Sequence, residues 1–166
     1  MTDPYAAAQA SAARLAVITG QPGHDVAVVL GSGWLPAADA IGHTAAEFPI
    51  SELGGFAQPT VAGHAPVARS VLVGALRVLV YLGRTHLYEG HPVEAVVHGV
   101  RTAAAAGCRV IVLTNASGGI NQDYGVGQPV LLSDHINLTG RSPMTGAEPP
   151  AGYGSRFVDL TDLYSA

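Results

Sequence analysis

The sequence predicts an α/β domain: a mixed, largely parallel β-sheet flanked by helices. Three observations predict it. Apolar residues make up 48% and charged residues only 12%, which suits a sheet covered on both faces. Short hydrophobic runs, DVAVVL, RVLVYLG and RVIVLT, are separated by stretches with helical signals. Each run also ends in a cluster of small and polar residues: Gly31-Ser32-Gly33, Arg84-Thr85-His86, and Asn115-Ala116-Ser117-Gly118-Gly119. Ligands of open α/β sheets sit outside the carboxyl ends of the strands, where such loops converge. Glycines there let backbone N–H groups approach an anion, and Ser, Arg and His add directed donors.

The elements follow in order. Asp3-Pro4 reads as an N-cap and first helical residue, opening an alanine-rich helix that ends near Gly20. Residues 25–30 form a buried strand. Residues 67–73 and 76–82 form two more, joined at Gly74-Ala75 as a hairpin. Pro92 starts a helix that stops at Gly107. Residues 109–114 and 129–138 are further strands. Residues 139–156 hold four Gly and three Pro without a hydrophobic period, which predicts a long mobile loop, the kind that often serves as a lid. The whole reads as one domain over 1–166. Its last residues, RFVDLTDLYSA, look like the start of an element, so the domain is expected to be incomplete at its C-terminus.

Charge narrows the partners. The net charge is −4, with no basic tail or aromatic-basic stripe, which argues against nucleic-acid or anionic-membrane binding. All eight basic residues are Arg, so a side-chain cation holding an anion would be a guanidinium, suited to bidentate oxyanion contacts. The single Cys108 excludes an internal disulfide and reads as an inert buried thiol. No apolar run reaches membrane-spanning length and the N-terminus lacks a basic flank, so a cytoplasmic location is expected.

The motifs carry several readings. Gly31-Ser32-Gly33 is either a tight turn or an anion cradle. It is not a dinucleotide fingerprint, because Pro36 stands where a third glycine is needed, and a chain without lysine has no P-loop. Asn115 to Gly119 nearly matches a nucleophile elbow around Ser117, with Asp134-His135 downstream. Neighbouring strand residues point to opposite faces, however, and a backbone nest for an anion fits better than a serine hydrolase. His86, Glu89 and His91 match no standard zinc spacing, so no metal site is expected. In the non-metal reading Arg84 gives charge and forked donors, His86 a further bond, and Glu89 orients the His86 ring. Tyr88 offers a flat face to a sugar. A solvated turn would explain any one of them alone. His64 reads as an incidental loop residue on its own, Trp34 as a packing residue, and His24, His43 and His98 as structural.

Taken together, Gly31-Ser32-Gly33, Gly83-Arg84-Thr85-His86 through His91, Thr114 to Gly119 and Asp134-His135-Ile136-Asn137-Leu138 resemble the trimeric, low-molecular-mass purine nucleoside phosphorylases. The Gly-Ser-Gly and Gly-Arg-x-His-x-Tyr-Glu-Gly forms look more like this branch than the related methylthioadenosine phosphorylases. The resemblance implies phosphorolysis of purine nucleosides to free base and (deoxy)ribose 1-phosphate, in purine salvage. It implies phosphate as a co-substrate held by Ser32, His64, Arg84, Thr85, His86 and the N–H of Ala116, with no cofactor. His86 and Glu89 would serve catalysis, Tyr88 would line the ribose, and Phe157 would reach a neighbouring subunit's ribose in a homotrimer. Family members continue well beyond this length, and their second half supplies the purine-binding groups. A non-catalytic phosphate-binding fragment is therefore the alternative. Ser117 departs from the small apolar residue usual at its position.

Overall fold

The computed structural model describes residues 3–57, 66–146 and 148–164. The chain divides into two units, 1–116 and 117–166. In the first, helix α1 (Pro4–Thr19) is capped by Asp3, whose carboxylate accepts from the Tyr5 N–H at 2.9 Å, and it closes on Gly20 at φ 64°. Both ends follow the sequence signals: a side-chain acceptor for an orphan N–H, and a glycine in the left-handed region. Five strands follow among the described residues: β1 (Val26–Val29), β2 (His43–Pro49), β3 (Val67–Val73), β4 (Leu76–Tyr81) and β5 (Val110–Leu113). They form one sheet in the order β2-β3-β4-β1-β5. The sheet is mixed, as expected: β1 is parallel to both β4 and β5, whereas β2-β3 and β3-β4 are antiparallel. The β3-β4 hairpin turns at Gly74, φ 59°.

Side-chain alternation builds a core on each face of the sheet. Ala27, Val29, Leu79 and Tyr81 face α1 and the Ala103–Cys108 region, together with Phe48, Ile50 and Leu53. Val78, Val80, Leu82, Leu30 and Val71 face the other way and are covered by Ala38 of the 3-10 helix Leu35–Ala40, with Trp34 and Leu35 packed against them. The segment after Pro92 forms two consecutive helices, α2 (Val93–Val96) and α3 (His98–Ala105), with a break at Val97.

Strand β2 carries no strand signal of its own in the sequence. HTAAEFP is poor in β-branched and aromatic residues, and Phe48 is its one buried side chain. It forms because β3 offers an edge.

The second unit, 117–166, contains turns but no helix or strand among its described residues. This corrects the strand expected over 129–138. A strand is stable only when a neighbour takes up its N–H and C=O groups. Among the described residues of 117–166 nothing is paired in a ladder, and Leu131, Ile136 and Leu138 are exposed. Local side-chain bonds organise the unit instead: Asn137 accepts from the Thr139 N–H and hydroxyl and donates to the Arg141 carbonyl. The described residues of 139–156 hold turns and no helix or strand, in keeping with the predicted loop.

Candidate anion-binding site

Topology brings the three polar clusters together. Strands β4, β1 and β5 are adjacent and parallel, and Val29 lies opposite both Tyr81 and Leu113. The loops that follow therefore leave one edge of the sheet at the same level. Hydrogen bonds from Leu30 N to the Tyr81 carbonyl (2.9 Å) and from Thr114 N to the Val29 carbonyl (3.0 Å) carry the pairing one step further.

Beyond that step the loops are stitched by Thr114. Its hydroxyl donates to the Val29 carbonyl (3.0 Å) and accepts from the Gly31 N–H (2.9 Å), while its carbonyl accepts from the Arg84 guanidinium. The approach at Gly31 admits no side chain: a Cβ would lie 2.4 Å from the Thr114 carbonyl oxygen and 2.9 Å from Asn115 Cα. Trp34 closes the arrangement, its indole Nε1–H donating to the Asn115 carbonyl at 3.1 Å.

Arg84 is half-buried, and desolvation pulls its pKa below the ordinary value, although the nearby Tyr88 opposes this. A guanidinium stays protonated in proteins, so burial raises the cost of its charge and favours an anion beside it. Arg69 makes the contrast. It is held by two carboxylates, Asp39 at 2.7 Å and Glu47 at 2.6 Å, which raise its pKa, and it lines a separate concavity of about 450 Å³ with Leu35, Pro36 and Leu82. The charge of Arg69 is balanced by these two carboxylates, and Arg84 donates to the Thr114 carbonyl at the strand ends.

The Arg84–Gly90 loop folds around a 3-10 turn, Leu87–Glu89, ended by Gly90 at φ 85°. The Glu89 carboxylate accepts from the His86 main-chain N–H at 2.5 Å, and the Glu89 main-chain N–H donates to the His86 side chain, so residue 89 holds both the backbone and the ring of His86. The imidazole stacks on Tyr88, centroids 4.7 Å apart and planes 21° apart. Tyr88 is 73% exposed and presents a flat face at the loop. Thr85 is buried, and its hydroxyl donates to the Ala57 carbonyl at 3.4 Å, so its side chain braces residue 57. Ser32 sits half-buried on the turn after β1, and Ala116 is exposed after β5. His64 lies outside the described residues.

In the second unit Phe157 is 86% exposed. Asp134 accepts from the main-chain N–H of His135, and the His135 ring meets the Tyr164 hydroxyl at 2.8 Å. That differs from the acid–imidazole–hydroxyl relay a serine hydrolase needs. Sequence reasoning missed two residues of the first unit. Trp34, read as packing, also bonds the Asn115 carbonyl, and Thr114 joins the loops. A lone indole N–H at a strand-end turn and a threonine closing a strand were the only signals.

A sheet of this topology, with polar loops gathered at the carboxyl ends of its parallel strands, defines the class as a mixed α/β protein. The chain belongs to the phosphorylase superfamily, whose family model matches residues 25–166. A purine nucleoside phosphorylase of Cellulomonas sp. is 55% identical over 169 residues, covering 99% of this chain and 57% of the relative. That of Mycobacterium tuberculosis is 56% identical over 163 residues, covering 98% and 58%. Among solved structures, the purine nucleoside phosphorylase of Schistosoma mansoni in complex with acetate superimposes with a TM-score of 0.79 at 27% identity, over 96% of this chain and 59% of that one. A purine nucleoside phosphorylase in complex with ribose-1-phosphate gives 0.78 at 26%, over 95% and 58%. The chain thus spans less than two thirds of the length of these relatives.

Proposed function

We propose that these residues form the phosphate-binding part of a purine nucleoside phosphorylase, which converts a purine (deoxy)ribonucleoside and phosphate to free base and (deoxy)ribose 1-phosphate in purine salvage. The observation that carries this reading is the junction of three strand-end loops through Gly31, Arg84 and Thr114. The relatives' names and the ribose-1-phosphate complex of a structural neighbour support it.

In this reading phosphate is held by Ser32, Arg84, His86, His64 and the Ala116 N–H. Thr85 contributes through its main chain, since its hydroxyl is turned to Ala57. Tyr88 lines the ribose. Phe157 serves a neighbouring subunit of a homotrimer, a role its exposure permits. Breaking the ribose–purine bond passes through a transition state of oxocarbenium character, as in glycoside hydrolysis. A phosphate fixed beneath the sugar stabilises that charge and is already placed for attack. Arg84, His86 and Ser32 supply the donors, and Glu89 holds the His86 backbone so that the imidazole keeps its place. Inorganic phosphate acts as co-substrate, no cofactor takes part, and the setting is cytoplasmic.

Arg84→Ala is expected to weaken phosphate binding by at least tenfold in calorimetry, since a charge-assisted hydrogen bond contributes roughly 1.5–3 kcal/mol. Unchanged affinity would remove Arg84 from the site. A second reading, phosphate binding without turnover, is favoured by the chain's span of 57% of the Cellulomonas relative. Inosine assayed with and without phosphate separates the two. Phosphate-dependent release of hypoxanthine supports the enzyme, and binding without release supports the second reading.

A further inference from the structure

We propose that Trp34 is a positioning residue for the phosphate site, acting through the Asn115–Ala116 peptide. This rests on the reading that the Ala116 N–H donates to phosphate. A trans peptide is planar, so the Asn115 carbonyl and the Ala116 N–H belong to one rigid unit and point in opposite directions. The indole Nε1–H holds the carbonyl end at 3.1 Å. Turning the N–H away from its direction would break that bond.

The indole is itself well anchored. The Trp34 N–H donates to the Gly31 carbonyl at 3.1 Å, its carbonyl accepts from the Ala37 N–H at 2.9 Å, and its side chain packs against the cluster of Leu30, Ala38 and Val80. The same residue therefore ends the Gly31-Ser32-Gly33 turn and fixes the peptide after β5, which ties the Ser32 donor to the Ala116 donor. On the other side of Asn115 the chain is held by Thr114, through Arg84 and Gly31. Two glycines, Gly118 and Gly119, follow soon after in sequence and restrain the backbone little. The bond from Trp34 Nε1–H fixes the direction of the peptide that follows Asn115.

Tryptophan suits the task for a chemical reason. An indole N–H is a donor only, so it bonds the carbonyl and cannot compete with phosphate for the Ala116 N–H. Donation to the carbonyl also polarises the peptide and strengthens its N–H as a donor.

Trp34 is the only tryptophan in the chain, so it can be replaced residue-specifically by 3-benzothienylalanine, in which sulfur stands where the N–H was and ring shape is kept. Trp34→Phe is the genetic counterpart. Inorganic phosphate is titrated by calorimetry and by the amide ¹⁵N–¹H resonance of Ala116. The sulfur isostere is expected to raise the phosphate Kd roughly three- to tenfold, the range of one ordinary hydrogen bond. The phosphate-induced shift of Ala116 should shrink while the urea midpoint stays near that of the unsubstituted chain. Unchanged Kd and unchanged Ala116 shift in the isostere would overturn the role of Trp34 alone. Absence of phosphate binding by the unsubstituted chain would overturn the phosphate reading itself, and this role with it.

Discussion

Gly31 decides more at the candidate site than its neighbours do. Gly33 adopts φ 81°, a conformation glycine favours, but a Cβ there would meet nothing within 4 Å. At Gly31 the conflict is with backbone, the Thr114 carbonyl and Asn115 Cα, which cannot swing aside as a side chain can. Gly31→Ala is expected to destabilise the fold by roughly 1–3 kcal/mol, the usual cost of overpacking. It should also weaken phosphate binding, because the two loops must separate. A urea midpoint and phosphate affinity equal to those of the parent would show that the loops do not meet this closely. The Gly-Ser-Gly motif was legible as a motif, but which glycine mattered was not. The conflict involves residues more than eighty positions away, which no local spacing encodes.

Among the elements, α1, α3 and the 3-10 turn Ile50–Leu53 meet at His98. Its Nε2 lies 3.0 Å from the Ser11 hydroxyl of α1 and 3.3 Å from the Gly54 carbonyl, and its ring packs edge-on to Phe56 at 4.6 Å. Thr102, one turn along α3, lies 3.5 Å away. Burial, aided by Arg101, lowers the His98 pKa, although the Gly54 carbonyl opposes this. His24, buried against Ser70 of β3 at 2.8 Å, is lowered by burial and by Arg77, with Asp25 opposing. Both histidines therefore bind protons more readily in the unfolded chain. Between their lowered folded values and the ordinary 6.5, unfolding takes up protons, so stability falls as pH drops through that window. Urea midpoints should decline from about pH 7.5 to about pH 5.5, and His98→Gln and His24→Gln should each flatten the slope. A slope identical to the parent's in both variants would rule out this linkage. The sequence assigned neither histidine a functional role, and their partners come from other elements and could not be read there.

For the whole molecule, the distribution of apolar surface is the governing fact. The β-sheet of residues 1–116 buries Leu79, Val80 and Tyr81 almost completely, yet Val110, Val112 and Leu113 on the outer strand β5 are exposed. In residues 117–166, Ile120, Leu131, Ile136, Leu138 and Phe157 are exposed as well. Monomeric proteins rarely leave so many large apolar groups in water, and an uncovered strand edge is a template for pairing. The isolated chain is expected to self-associate as its concentration rises, seen as a growing sedimentation coefficient, and to bind a hydrophobic dye. A concentration-independent monomer without dye binding would mean that this surface is covered in solution. No helix among the described residues is long and apolar enough to cross a membrane.

Sequence alone determined the elements whose signals are local. These are the capped helix α1, the strands β1, β4 and β5, the β3-β4 hairpin, and the polar cluster at each parallel strand's end. Apolar periodicity, caps and turn glycines act within a few residues, so they can be read in order along the chain. Tertiary structure alone decided that the three clusters meet, because adjacency of β4, β1 and β5 is a matter of sheet order. It also decided that β2 forms although HTAAEFP has weak strand propensity, and that residues 129–138 do not form a strand although their apolar run suggests one. A strand exists only where a neighbour offers its backbone, and that neighbour is chosen by the fold rather than by the segment.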